Sequence, residues 1–198
     1  MGRNSKFDRG EVETSIMGLF WSQGFRNTSV EHLLAATKLR SGSLYRSFGG
    51  KRDLFLHALA KYNLEVVHPR QAAILAAPDK VKAIRDFFQG LVERNSNDLT
   101  RRGCFNTNSA AELGSLDPEI SKALLKSSRK WEGVFFEALE EAQLQGELSK
   151  RLDARKMARF FVALSQSLNL LAKIRPDREF LHDVAETGLQ ILRPISPE

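Results

Sequence analysis

Cysteine is nearly absent. Cys104 is the one thiol in 198 residues, which excludes a disulfide framework within the chain and a cysteine-rich metal site. Long apolar runs are missing too: Leu33-Leu34-Ala35-Ala36 is typical, far short of the roughly 20 apolar residues of a membrane-spanning helix. Behind the polar leader Met1-Gly2-Arg3-Asn4-Ser5-Lys6 there is no stretch of the signal-peptide kind, and no second anchor to support a lipid at Gly2. The alternating apolar–polar pattern of strands does not occur, nor does an internal repeat. The four histidines, His32, His57, His68 and His182, share no metal-ligand spacing, and no glycine loop runs into Gly-Lys-Ser or Gly-Lys-Thr. Serine, histidine and acidic residues occur without a nucleophile context. These absences predict a reduced, cytoplasmic chain with no membrane partner, no metal, no cofactor and no enzymatic activity.

Apolar residues make up 42% and charged residues 27%, an ordinary globular balance. The net charge is +6, and it is unevenly placed. Residues 1–62 hold ten Lys or Arg against five Asp or Glu, so +5 of it falls in the first third. A basic head on a near-neutral body suits a polyanion partner; a solvated basic surface fits the charge equally well.

The apolar spacing is helical from end to end, so the predicted fold is all-α, with about nine helices. Val12, Ile16, Leu19 and Phe20 set a first helix over about 8–23, stopped at Gly24. Thr28-Ser29-Val30-Glu31 reads as a capping box for a second over about 29–37. Lys38-Leu39-Arg40 is a break, and Ser41–Phe48 a two-turn helix ended by Gly49-Gly50. A fourth helix runs from Lys51 to about His68-Pro69, and a short one follows Pro69. In the body, Asp79, Asp117, Asp153 and Asp177 each stand where a helix N-cap is expected, with Pro118 at the first helical position. Residues 95–102 read as a polar loop before a short helix over 104–113.

Residues 29–48 have helix-turn-helix dimensions, in which the second helix enters the major groove and the first braces it. Ser41, Gly42 and Ser43 are small enough for close approach to a phosphate at the helix start. Tyr45 and Arg46 project from the next turn, and Lys51 opens the following helix. Leu44 and Phe48 fall on the opposite, inner side. Pattern alone leaves an ordinary helical hairpin the favoured alternative.

The residues carry a more specific signal. Phe20-x-x-x-Gly24-Phe25-x-x-Thr28-Ser29-Val30, then Leu34-Ala35-Ala36-Thr37, then Gly42-Ser43-Leu44-Tyr45-x-x-Phe48-x-x-Lys51-x-x-Leu54-Phe55, resembles the DNA-binding domain of the TetR/AcrR family of transcriptional repressors, ungapped over about residues 7–60. Arg102-Gly103-Cys104-Phe105-Asn106 and Glu112-Leu113 are similar to the ligand-domain signature of one branch. The resemblance implies a three-helix head over 6–66 and a ligand-binding and dimerisation body over 67–198. It implies a homodimer that holds palindromic operator DNA and is released by a small-molecule effector. On this basis Ser41, Gly42, Ser43, Tyr45 and Arg46 are expected at the operator, and Thr28, Lys38, Arg40 and Lys51 at its phosphates. The turn departs from the family pattern: Lys38 stands where glycine is usual and Arg40 where a capping Ser or Thr is usual, so Ser41 is a candidate to take over the cap.

Within the body, Phe87, Phe88, Cys104, Phe105, Trp131 and Phe135 are candidate pocket residues, with Phe136 beside them and Asn106, Asn108 and Ser109 as polar members; plain core is the competing reading. Cys104 lies at a helix start two residues after Arg101-Arg102. Both features lower a thiol pKa, so a redox- or electrophile-sensing regulator or a thiol-reactive enzyme is an alternative, against the commoner fate of a packed thiol. The closing helices at about 153–174 and 178–192 are amphipathic, and the first carries apolar residues on more than one side. Phe161, Leu164, Leu168, Leu181 and Val184 are expected at a two-fold, four-helix dimer contact.

Overall fold

The computed structural model describes residues 7–192, and every regular element among them is helical. The order is α1 Arg9–Asn27, α2 Val30–Thr37, α3 Ser41–Phe48, α4 Lys51–Tyr62, α5 His68–Ala76, α6 Lys80–Asn97, α7 Phe105–Leu113, α8 Pro118–Leu144, α9 Ala154–Ile174 and α10 Arg178–Leu189. A wide π turn, Asn63–Val67, joins α4 to α5 without a break, so the ten α segments among the described residues amount to nine separate helical rods.

The caps follow the sequence closely. Asp79, Asp153 and Asp177 each accept a backbone N–H two to three residues into their helices, and Asp117 accepts two. Three local expectations shift. Gly24 does not end α1 but kinks it, with φ 80° and ψ 177°, and three more residues stay helical beyond it. The cap of α2 moves by one residue: the Ser29 hydroxyl accepts from the His32 N–H, and His32 Nδ1 accepts from the Ser29 N–H. Pro69 was expected to separate two helices. Its missing N–H is absorbed by the π turn just before it, so the rod continues.

Two apolar clusters hold the chain. The head cluster gathers Ile16, Phe20, Leu33, Leu44, Phe48 and Phe55, and takes in Phe105 and Leu113 of α7 and Ile120 and Leu124 of α8. The body cluster gathers Phe88, Phe135, Phe161, Leu168, Leu181 and Leu189. At roughly 1.5–3 kcal/mol per fully buried large apolar side chain, these clusters dominate the stability. The α4–α5 rod runs unbroken through residues 66–67, and α7 packs under the head.

Burial takes four of the five residues expected at the dimer contact into the core of one chain. Phe161, Leu168 and Leu181 are wholly inside one chain, and Leu164 is nearly so at 7% exposure. Their side of α9 faces the body, and the remaining surface of α9 lies opposite.

Candidate DNA-contacting helix, ligand cavity and dimer face

The turn between α2 and α3 forms at the expected place. Lys38 takes the left-handed conformation, φ 56° and ψ 20°, that glycine would adopt without a Cβ penalty. Arg40 is the N-cap of α3 and makes no side-chain cap bond; Ser41 is the first helical residue and does not take over the cap. The α3 carbonyl–amide ladder starts with the Ser43 and Leu44 N–H groups on the Arg40 carbonyl, so those of Ser41 and Gly42 face outward without a backbone partner. Ser41, Gly42, Arg46, Lys38 and Arg40 are exposed, Ser43 and Tyr45 half-buried, and Leu44 and Phe48 anchor the inner face. Lys51 is half-buried with its ammonium 4.4 Å from the centre of the Phe25 ring. Thr28 differs from expectation. It is fully buried, and its hydroxyl donates to the Gly24 carbonyl at 2.6 Å, closing the kink rather than facing a phosphate.

Two polar contacts tie this head to the body. The Glu112 carboxylate of α7 accepts the N–H groups of Phe25 and Arg26, at 2.9 and 2.7 Å, which the Gly24 kink leaves unbonded. A Cβ at Gly24 would lie 2.7 Å from that carboxylate. On the far side, Arg52 of α4 grips Asp117 and Glu119 at the start of α8. The Trp21 indole adds a third contact, donating to the Gly103 carbonyl at 3.1 Å.

Gly103 explains the Arg-Gly-Cys segment physically. Its φ is +61°, and a Cβ there would meet the Asn169 carbonyl of α9 at 2.9 Å. The segment thereby sets Cys104 as the N-cap of α7, on the wall of a cavity of about 270 Å³. Phe87, Cys104 and Trp131 line this cavity, with Asn106. Phe88, Phe105 and Phe135 do not: they are 0–1% exposed and belong to the packed clusters. Asn108 is spent on the Arg102 carbonyl, at 2.7 Å, and Ser109 is buried. Phe136 is half-buried against the body, under the Arg155 guanidinium.

Sequence reasoning missed several cavity residues. Tyr62, Arg70, Ser127 and Asn169 come from four different helices. No local spacing links them. Asn106 Nδ2 donates to Asn63 Oδ1 at 2.8 Å and to Ser127 Oγ at 3.0 Å, so the polar wall is a built network. The Tyr62 hydroxyl donates to Cys104 Sγ at 3.6 Å. Burial, with the Cys104 sulfur beside it, pushes the Tyr62 phenol well above its ordinary value, keeping it a neutral donor. Arg102, the cation expected at the thiol, stacks on the Trp21 ring at 4.4 Å instead.

The outer side of α9 carries Phe160, Ala163, Ser167, Leu170 and Ile174, spaced by alternating threes and fours. Phe160 is 42% exposed, Leu170 50% and Ile174 79%. Ile191 lies exposed just past α10, and Val184 is half-buried on it. Of the residues expected at the dimer contact, Val184 alone keeps part of its surface beside this apolar stripe.

Comparison with known proteins agrees with this architecture. Residues 79–187 match the family model for the tetracyclin repressor-like C-terminal domain, and residues 15–58 that for bacterial regulatory proteins of the tetR family. The chain is 35% identical to the uncharacterized HTH-type transcriptional regulator YezE of Bacillus subtilis (strain 168), over 97% of this chain and 100% of that protein. It is 27% identical to the HTH-type transcriptional repressor ComR of Escherichia coli (strain K12), over 96% of this chain and 91% of that one. Among solved structures, a cysteine mutant of the TetR family transcriptional regulator CifR, complexed with 26bp double-strand operator DNA, is similar with a TM-score of 0.84 and 29% identity, covering 96% of this chain and 98% of that chain. The chain belongs to the TetR family of bacterial transcriptional regulators.

Proposed function

We propose that the protein is a homodimeric transcriptional repressor that holds a palindromic operator through α3 and releases it when a small molecule enters the body. The observation that carries this reading is the exposed face of α3, where Ser41, Gly42 and Arg46 stand free while Leu44 and Phe48 fix the helix to the head. The DNA-bound CifR structure supports it by likeness. The stripe on α9 with Ile191 supplies a self-complementary surface, and two heads held by such a contact meet half-sites about 34–36 Å apart or a multiple of that. No helix among the described residues is long and apolar enough to cross a membrane. The protein works where its DNA is, as a binding protein in the cytoplasm rather than as an enzyme.

Induction has a physical route. The helices that wall the cavity also carry the contacts to the head: α7 bears Cys104 at its cap and Glu112 near its end, and α8 bears Asp117 at its cap and Trp131 further on. A ligand that changes how α7 and α8 pack moves both contacts. It lowers operator affinity only by binding the DNA-incompetent arrangement more tightly, and operator then weakens ligand by the same factor. The thiol-based alternative carries less, because the Arg102 guanidinium is turned onto the Trp21 ring.

Selection from a random DNA pool tests the reading. A palindromic sequence should be enriched. Tyr45→Ala with Arg46→Ala should erase the preference, at about 1–3 kcal/mol for each base that the helix no longer reads, whereas Lys38→Ala should weaken all sequences alike and reduce the salt slope by about 1. A double variant that holds the selected site as tightly as the parent would show that α3 is not the reading element.

A further inference from the structure

The ligand cavity has a neighbour that no local sequence pattern foreshadows. A second cavity of about 270 Å³ shares Tyr62, Arg70, Leu91 and Asn169 with the first, and adds Arg94 and Arg102. The two differ in character. The first is walled mainly by apolar groups, Phe87, Leu91, Leu124 and Trp131 among them, and has no carboxylate on its wall. The second brings three guanidiniums together with one carboxylate, Asp98.

That carboxylate is already occupied. One Asp98 oxygen accepts the Thr100 N–H and hydroxyl, and the other accepts the Arg102 N–H at 2.8 Å. Among the described residues, none of Arg70, Arg94 and Arg102 lies within ion-pair distance of an acidic group. Arg102 is nonetheless held, stacked on Trp21, although its Nε is buried without a partner. A third, outer hollow touches Arg70 and Arg94 from the surface and holds Asp79, Lys82 and Asp86; there Asp86 pairs with Lys82 at 2.6 Å and Asp79 caps α6.

Arg94 is exposed as a residue, with part of its side chain against the cavity wall. Burial, then the nearby charge of Arg70, holds its guanidinium down at about 10. Two like charges face one open cavity without an anion between them, and solvent screens part of their repulsion. An anion between them reverses that sign, and the planar guanidinium fork suits carboxylate and phosphate oxygens.

We propose that the two adjoining cavities form one site for a small amphipathic anion, its carboxylate or phosphate head between Arg70 and Arg94 and its apolar body against Phe87, Leu91 and Trp131. The proposal rests on the reading of the body as an effector domain and names the chemical class of the effector. Drug-sized ligands occupy about 300–1,000 Å³, so each lobe alone is small and the pair fits a compact molecule.

The test uses the full chain without DNA. Benzoate and phenyl phosphate are titrated at constant ionic strength, with benzamide as the neutral counterpart of benzoate, and binding is read by calorimetry and by the shift in Tm. Saturable binding of at least one anion is expected, with benzamide at least about tenfold weaker than the tighter-binding anion, and the ratio of the two anion affinities tells carboxylate from phosphate. Arg94→Gln and Arg70→Gln should each weaken the anion by about tenfold or more. Arg94→Met should leave the Tm of the empty protein no lower than the parent's while removing the anion response, which keeps the test open if Arg70→Gln fails to fold. Benzamide bound as tightly as the tighter-binding anion, anion affinity unchanged in the Arg94 variants, or no response to either anion up to about 10 mM would overturn the proposal. Arg94-dependent anion binding that leaves an operator complex intact would uphold it and refute the effector reading instead.

Discussion

Arg52 and Asp117 join the head to the body by two parallel hydrogen bonds, Nε to Oδ2 at 2.6 Å and Nη2 to Oδ1 at 2.7 Å. The same carboxylate caps α8, accepting the N–H groups of Glu119 and Ile120 at 3.0 and 3.1 Å. Arg52 reaches on to Glu119 with its third nitrogen. One half-buried side chain thus fixes where α4 sits on the start of α8, and α8 carries part of the cavity wall.

This pairing predicts an acid-sensitive component of stability. The Arg52 guanidinium, and after it the Ile120 N–H, hold the Asp117 carboxyl well below the usual carboxylate range. A carboxyl with a depressed folded-state pKa adds stability that is present above its unfolded value, near 3.9, and is lost as pH falls below that value. Urea midpoints of the parent should therefore decline below about pH 4. Arg52→Ala should flatten that decline, and salt should shrink the difference because the pair is only half-buried. Parallel pH profiles of the two proteins would refute the assignment.

The α2–α3 turn predicts a stabilising substitution. Lys38 holds φ 56°, where a side chain costs about 1–2 kcal/mol relative to the ordinary right-handed region. Lys38→Gly should raise stability by about 1 kcal/mol, equivalent to about 2–4 °C in Tm for a chain of this length. Arg40→Ser should add about 1 kcal/mol more by supplying the missing cap of α3. Thermal unfolding of the single and double variants checks both, and a fall in Tm for Lys38→Gly would contradict the strain.

The dimer face predicts a separation of two neighbouring sets of residues on α9. Phe160→Glu with Ile174→Glu should leave the fold intact and give a monomer by sedimentation, since both positions are exposed in one chain. Leu168→Glu should instead unfold the body, because a charge would enter a site with 0% exposure. A dimer that tolerates the outer pair of charges would place the interface elsewhere.

Whatever is written within a few consecutive residues was legible before any helix was placed in space. Each of Asp79, Asp117, Asp153 and Asp177 marks a helix start, Gly49 ends α3, and the spacing of Leu44 and Phe48 sets which side of α3 faces inward. Caps and turns are local bonds, so local chemistry suffices to place them. The head motif was legible for the same reason. What lies between distant helices was not. Phe88 and Phe135 are core while Phe87 lines a cavity, though all three are aromatic residues at helical spacing. In α9, Phe160 and Phe161 are adjacent and both apolar, yet one is 42% exposed and the other 0%. A helix with apolar residues on several sides has a period but no preferred direction until its neighbours choose one, and here α8, α6 and α10 choose the side bearing Phe161 and Leu168. Arg70 and Arg94, 24 positions apart on α5 and α6, face one cavity for the same reason: only the packing of those rods against each other brings their charges together.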